Sequence, residues 1–396
     1  MKPCLQIFFV NKFEINGESP MATVSVMSTH ALALSGIPVT LIAEGNPKTD
    51  TTVLLKKKFG LSGTPDYRIK LMTRKLFGKI RATTIFYYRA LLYILTKRIR
   101  GIDTIIITRN TTFLPRMILM RLLGCKVFFE SHSYHGYCNI EGVPHNPSGK
   151  SFNLNAQFRW IERLFLNRCN GLICISSVQR KLYVKDFVRI RSITLPLGSP
   201  DVKHFGMKDS NSVKKHLVYI GRAASFIEDK VIFKAISLCN DKTITFAWLG
   251  LRDVDFERLQ TLAAEFGISE RVELFKWMPH TKMSEYICDK AGAGIVAYKL
   301  EFMTGALACP TKLFDYFSAG LPVIVSRMPT VEDYMTQNKE GLFYTPGSAE
   351  SLCESIESLF SNPQRYFSLC KNSREAAEKY SWKNRADKLV EFVSNS

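Results

Sequence analysis

Short apolar runs recur along the chain at intervals that each leave room for one helix. In the first half, LQIFFV (5–10), PVTLIA (38–43), DTIIITR (103–109), KVFFE (126–130), GLICIS (171–176) and SITLPLG (192–198) read as buried strands. Amphipathic stretches lie between them, among them MATVSVMSTHALALSG and FNLNAQFRWIERLFLNRCN. Continuous apolar strands alternating with helices of this length predict βαβ units and a mostly parallel sheet. LPRMILMRLLG, just before KVFFE, ends in a glycine suited to closing a helix.

The pattern breaks at 199–215, where SPDVKHFGMKDSNSVKK is polar and without period, and reads as a linker. Alternation then restarts with HLVYIGR, TITFAWLG, VELFKWM, AGIVAY, LPVIVS and EGLFYT as strands, and the segment from 350 onward is helical. The expected organisation is therefore an N-terminal Rossmann-like domain (1–198), a linker (199–215) and a C-terminal Rossmann-like domain (216–380). A last helix (381–396) is in a position to cross back to the first domain.

Length supports this division, since 396 residues exceed one ordinary core at about 150 residues per domain. The 46% hydrophobic content and mean hydropathy of -0.02 describe a globular chain, and no run nears the roughly 18 apolar residues of a membrane span. The opening MKPCLQIFFVNKFEING lacks a small-residue cleavage site and reads as a first strand rather than a secretory signal. None of the ten cysteines forms a Cys-x-x-Cys pair, and most sit in apolar runs. That usage predicts reduced core thiols in a cytoplasmic protein, with neither a zinc site nor a disulfide framework.

Charge divides the chain unevenly. Residues 1–200 hold 29 Lys and Arg against 10 Asp and Glu, whereas residues 201–396 hold 25 of each. The excess is densest from Lys56 to Arg100, where 13 basic residues face Asp66 alone. Such a field attracts nucleic acid, acidic lipid or a phosphorylated substrate.

Four segments could carry chemistry. In TGALACPTKLFDYFSAGLPVIVS (304–326) a loop from Gly305 to Pro310 leads into a helix closed by Gly320. Thr311, Lys312 and Asp315 lie at or near its start, where outward N–H groups and the helix dipole favour a phosphate. A capped helix with a surface lysine and aspartate is the equally available structural reading. In HLVYIGRAASFIEDKVIFKAI (216–236) a strand ends at Gly221, Arg222 follows at its carboxyl edge, and Lys230 starts the next helix. Open α/β sheets bind ligands at that edge, and Arg with Lys can clamp a diphosphate, although a solvated loop would look the same. KVFFESHSYHGY (126–137) places Glu130, His132 and His135 just past a buried strand. VNKFEINGESP (10–20) is a loop leaving the first strand, with Gly17 offering close backbone approach. It is not G-x-G-x-x-G, which removes most support for an oxidoreductase, and H-E-x-x-H, P-loop and G-x-S-x-G motifs are missing too.

Taken in order, the Gly17 loop, the ESH segment, LICIS, LPLGSPDVKHF, IGR…K, PTKLFDYFSAGLPVI, EGLFYTPGSAESL and YSW resemble the family 4 retaining glycosyltransferases (glycosyl transferases group 1) of the GT-B fold. PTKLFDYFSAGLPVI is the most specific piece, similar to P-x-K-x-x-E-Y-x-x-x-G-x-P-V-I. The resemblance implies an α/β fold of two Rossmann-like domains whose parallel sheets face across a cleft. It implies catalytic roles for Arg222, Lys230 and His132, the first two on the donor diphosphate and the last on the donor sugar. Gly17, Gly221, Thr311, Lys312 and Asp315 would complete donor binding, with Asp315 on the ribose. Leu307 stands eight residues before Asp315, where the family's E-x7-E has its first Glu, so backbone groups of 305–308 would have to serve the sugar instead. The resemblance also implies a UDP- or GDP-linked sugar as substrate, with no bound metal or cofactor.

In this fold the first domain takes the acceptor, and it carries the charge. KLMTRKLFGKIRATTIFYYRALLYILTKRIR (70–100) interleaves Lys and Arg with apolar residues. It suits an anionic membrane surface, so a lipid-linked or envelope-glycan acceptor and a peripheral place on the inner membrane face are expected, with residues 56–100 as the contact. A basic nucleic-acid-binding protein is the competing class, but no nucleic-acid-binding signature is present and none is expected as partner. A nucleotide-sugar epimerase of similar two-domain shape is the other alternative.

Overall fold

The computed structural model describes residues 5–17, 20–76, 80–134, 150–187, 189–200, 213–300, 307 and 309–395. They fall into two compact units. Residues 5–134, 150–196 and 382–395 form the first, and residues 197–381 the second. Of the expected linker, 201–212 lie outside the described residues.

In the first unit the strands are β1 (Leu5–Glu14), β2 (Val39–Glu44), β3 (Tyr67–Met72), a small hairpin β4 (Lys75–Leu76) and β5 (Ile80–Arg81), β6 (Asp103–Thr108), β7 (Lys126–Ser131), β8 (Gly171–Cys174) and β9 (Ser192–Thr194). The helices are α1 (Pro20–Leu34), the short α2 (Thr51–Leu54), α3 (Thr83–Ile99), α4 (Leu114–Leu122), α5 (Lys150–Phe165) and α6 (Ser177–Asp186). Seven strands pair in the order β3-β2-β1-β6-β7-β8-β9, all parallel. Every residue of β2 is buried, as a strand covered by helices on both faces requires.

All six predicted first-half strands are present, but β3 was not among them. It is an edge strand whose Arg68 and Lys70 alternate outward while Tyr67, Ile69 and Leu71 face the core. This half-polar strand lies within the densely basic segment, so 70–100 is not one amphipathic surface but a strand end, a hairpin and α3. β1 also runs on to Glu14, with a register shift against β2 after Val10. The loop expected at 10–20 therefore begins only beyond it.

The second unit contains β10 (His216–Ile220), β11 (Thr245–Leu251), β12 (Val272–Lys276), β13 (Ala293–Val296), β14 (Val323–Ser326) and β15 (Gly341–Tyr344). Its helices are α7 (Asp229–Leu238), α8 (Asp253–Glu265), α9 (His280–Lys290), α10 (Thr311–Ser318), α11 (Ala349–Ser361) and α12 (Pro363–Lys379). The strand order β12-β11-β10-β13-β14-β15 is the doubly wound one, with the reversal between β10 and β13.

The last helix, α13 (Trp382–Ser394), counts with the first unit. Ala386, Leu389, Phe392 and Val393 enter that unit's core. The approach is so close that a Cβ on Gly171 would stand 2.8 Å from the Phe392 ring. Among the described residues, no helix is long and apolar enough to cross a membrane.

Candidate functional site

The carboxyl edge of β10 is where the second unit gathers its polar chemistry. The strand stops at Gly221, whose φ of 116° is open to glycine and strained for other residues. Its amide donates to Leu249 O and its carbonyl accepts from Trp248 Nε1 at 2.7 Å, so the turn is held by β11. Arg222 follows, exposed. The loop then returns to the end of β13 through Lys299 N to Phe226 O and Glu228 N to Ala297 O. Buried Glu228 accepts from Tyr344 Oη at 2.6 Å and from Gly347 N at 2.7 Å. Lys230 then emerges exposed in the first turn of α7.

Helix α10 is fixed to the same edge by Tyr316. Its hydroxyl accepts from Ile220 N and donates to Val218 O, both at 3.0 Å, and its ring lies where Gly294 has no Cβ. No side chain caps the N-terminus of α10, and Thr311 there is half-buried. Its first-turn N–H groups are thus the kind that anions satisfy.

Lys312 is not the surface lysine that one reading of the sequence allowed. It is buried, with Nζ 2.5 Å from Tyr219 Oη and 4.0 Å above the Tyr219 ring. The Tyr298 ring is 4.9 Å away, and a Cβ on Gly221 would stand 3.8 Å from the ammonium. Burial pulls its pKa down to about 7, with Asp315 opposing. The ammonium thus sits directly under the Gly221 turn with its charge sensitive to what binds above it.

Asp315, one turn into α10, is 3.4 Å from Nε2 of His280, the first residue of α9. Burial opposes charging of His280, but the Asp315 hydrogen bond and carboxylate outweigh it and raise the imidazole above its ordinary value. His280 is absent from the sequence reading. It opens the helix after β12, so the carboxyl-edge rule applied to that strand would have pointed to it. Leu307 is buried, in keeping with its apolar side chain.

The first unit presents His132 at the carboxyl edge of β7. Its Nε2 lies 2.8 Å from Oε1 of buried Glu130. The same oxygen is 2.8 Å from Arg109 Nη2 and 3.0 Å from Arg385 Nη2, the latter carried by α13. Arg109 and Arg385 are further held by Ser25 and Ser28, at 3.2 and 2.8 Å. Burial would raise the Glu130 carboxyl, but Arg109 and Arg385 hold it well below the usual range. Burial and Arg109 bring His132 down to about 4. A neutral imidazole beside a carboxylate carries its proton on Nε2, which leaves Nδ1 as an acceptor. His135 lies outside the described residues.

Gly17 sits in the turn after β1, its amide donating to Glu14 O and its carbonyl accepting from Lys58 Nζ at 2.8 Å. A Cβ there would stand 3.2 Å from Glu14 O, a tight contact within the residue's own turn. Among the described residues one group could offer metal ligands, Cys239, Cys353 and Glu357 between α7 and α11. Burial pushes the Cys239 thiol up to about 12, the behaviour of a core cysteine.

Residues 204–380 match the family Glycosyl transferases group 1. That stretch, which takes in most of the second unit, is similar to this family. The D-inositol 3-phosphate glycosyltransferase of Corynebacterium urealyticum is 25% identical over 134 residues, which are 34% of this chain and 30% of that protein. The match thus spans under a third of that relative's length. The chain is similar in fold to Anabaena Alr3699/HepE in complex with UDP, with a TM-score of 0.71 and 12% identity over 99% of this chain and 100% of that one. Sucrose-phosphate synthase from Thermosynechococcus elongatus gives 0.73 with 15% identity over 99% and 98%. A mutant of S. aureus TarM, in complex with fondaparinux, alpha-GlcNAc-glycerol and UDP, gives 0.72 with 11% identity over 98% and 99%. These likenesses show the GT-B fold, with its two parallel sheets of seven and six strands.

Proposed function

We propose that this chain moves a sugar from a nucleotide-sugar donor to an envelope glycan, lipid-linked or polysaccharide acceptor, with retention of anomeric configuration. The observation that carries the proposal is the convergence at the β10 edge of Gly221, Arg222, buried Lys312, the uncapped start of α10 and the Asp315–His280 pair. Separating a nucleoside diphosphate from an anomeric carbon builds charge on the leaving phosphate. Preorganised cations and helix N–H groups aimed at that charge lower the barrier.

In this reading Arg222 and Lys230 clamp the diphosphate, and Thr311 offers its phosphate an N–H. Lys312 answers the arriving anion by holding its proton. Asp315, oriented by His280, accepts from the ribose hydroxyls. His132 Nδ1 accepts from a donor-sugar hydroxyl, and Gly17 lets backbone approach the phosphate from the acceptor side. UDP appears with both HepE and TarM, and UDP-glucose with HepE, which favours a uridine-linked donor here. A lipid-linked acceptor would place the chain peripherally on the inner membrane face.

The test is a thermal-shift and turnover screen of UDP- and GDP-sugars with the full chain, followed by mass spectrometry of the product. Stabilisation by UDP and acceptor-dependent sugar transfer are expected. Stabilisation by DNA alone, or sugar-phosphate turnover without any acceptor, would replace the proposal with one of its rivals.

A further inference from the structure

The first unit leaves an apolar, cationic face uncovered, and it is not the 56–100 segment as a whole. Within that segment Lys58 is tied to the carbonyls of Ile15 and Gly17, and Arg74 is paired with Glu44 at 2.6 Å. The remaining candidate is the C-terminal part of α3 together with α4 and α5.

These three helix ends are joined to one another. Arg98 of α3 donates to Leu123 O just past α4, at 3.1 Å, and lies against Gly124. Arg121 of α4 donates to the Arg168 carbonyl just past α5. Around these links large apolar side chains stand in water: Ile99 is 76% exposed, Leu122 80%, Trp160 62% and Leu119 56%. Leu92, 62% exposed, continues the outer stripe of α3, and Leu164 lies one turn from Trp160. Single exposed leucines are ordinary, but a contiguous set on linked elements marks an interaction surface.

The charge on the same helices is of one sign. Lys97, Arg98, Arg100, Arg121, Arg163 and Arg168 are exposed or half-exposed among the apolar residues. The helices contain one acidic residue, Glu162. It is buried, and burial pushes its carboxyl up to about 8, so it offers little negative charge at neutral pH. Asp103, just beyond α3, is paired with Arg98 at 3.0 Å.

From this juxtaposition we infer that the ends of α3, α4 and α5 dock this chain on an anionic lipid bilayer. Aliphatic anchors with a tryptophan, ringed by arginines, match a boundary where acyl chains meet negative headgroups. Nucleic acid would reward stacking aromatics over leucines, and among the described side chains these helices expose five large aliphatics, Leu92, Ile99, Leu119, Leu122 and Leu164, against two aromatics, Tyr88 and Trp160. The helix ends precede β6, β7 and β8, whereas His132 stands at the opposite, carboxyl edge of the sheet, so docking leaves that edge free. The inference rests on the membrane placement proposed above and not on the transfer chemistry.

Flotation of the full chain with phosphatidylcholine vesicles, with and without 30% phosphatidylglycerol (about that fraction suits a bilayer of strong surface potential), tests it. Binding only to the anionic vesicles is expected. It should fall at least tenfold in Leu122→Ser with Trp160→Ser, and again in Arg163→Glu with Arg168→Glu, while thermal stabilisation by UDP is unchanged (roughly tenfold per headgroup-region anchor or two). Equal binding to neutral vesicles, binding that ignores both pairs of substitutions, or loss of single-stranded RNA binding in place of vesicle binding would each overturn it. Loss of UDP stabilisation in wild type, with vesicle binding intact, would count against the donor-site reading alone.

Discussion

Arg385, carried by the last helix of the chain, sets its Nη2 3.0 Å from Oε1 of Glu130, the oxygen that also lies 2.8 Å from His132 Nε2. The C-terminal helix therefore does more than fill the core of the first unit. It supplies one of two cations that keep Glu130 ionised and that add to burial in keeping the neighbouring imidazole neutral.

Arg385→Met should shift His132 slightly upward. Burial and Arg109 are the larger causes of the low imidazole pKa and Arg385 adds the smallest part, so its removal moves the group up from about 4 by a small step only. It also breaks a buried ion pair, a loss of about 3–5 kcal/mol. Histidine NMR titration beside chemical denaturation checks both effects. An unmoved His132 with a full stability loss would make Arg385 a packing residue only.

Lys312 should make nucleotide binding and stability respond to pH in opposite senses. Its folded pKa of about 7 lies below the 10.5 of an ordinary lysine, so the unfolded chain holds more protons between these limits. This group's contribution to stability therefore rises with pH across that window, and Lys312→Met should remove the rise. Diphosphate affinity should fall as pH climbs through about 7, because the ammonium loses its charge. Calorimetry of UDP binding at pH 6 and pH 8.5 in wild type and Lys312→Met is the check.

Gly294→Ala should disturb the site without touching a ligand-facing group. A Cβ there would stand 2.2 Å from the Tyr316 ring, which pins α10 to β10. Overpacking of this kind costs about 1–3 kcal/mol. UDP affinity should fall with stability, whereas Gly171→Ala, against Phe392 in the other unit, should lower stability with UDP affinity kept. Thermal melts with and without UDP separate the two.

Asp315→Ala should raise the donor KM about a hundredfold or more, the scale of two charge-assisted hydrogen bonds at about 1.5 kcal/mol or more each, with kcat less affected. His280→Gln should produce a smaller rise in KM that Asp315→Ala abolishes in the double variant. Steady-state kinetics on the four proteins would reveal independent effects if the pair were not coupled.

Much of the fold was legible because buried parallel strands are continuous apolar runs. β10, β11, β13, β14 and β15 in the second half, and β1, β2, β6, β7 and β8 in the first, announce themselves this way, whereas the edge strands β12 and β9 were read from VELFKWM and SITLPLG although neither has a buried residue. β3 did not, since an edge strand wets alternate residues and its Arg68 and Lys70 look like surface charge. At the site, Gly221 and Arg222 were readable from a strand's end. The burial of Lys312 was not, because Tyr219 and Tyr298 reach it from strand ends far apart in sequence. The same holds for Arg385, whose partners Glu130 and Ser28 lie hundreds of residues away.

The most direct measurement of the central claim is sugar transfer from a UDP-sugar by wild type, Arg222→Ala and Lys230→Ala, each shown folded by circular dichroism. The account predicts a retained-configuration product from wild type and rates lower by orders of magnitude, roughly a hundredfold or more, in both variants. Wild-type rates in both variants would contradict it.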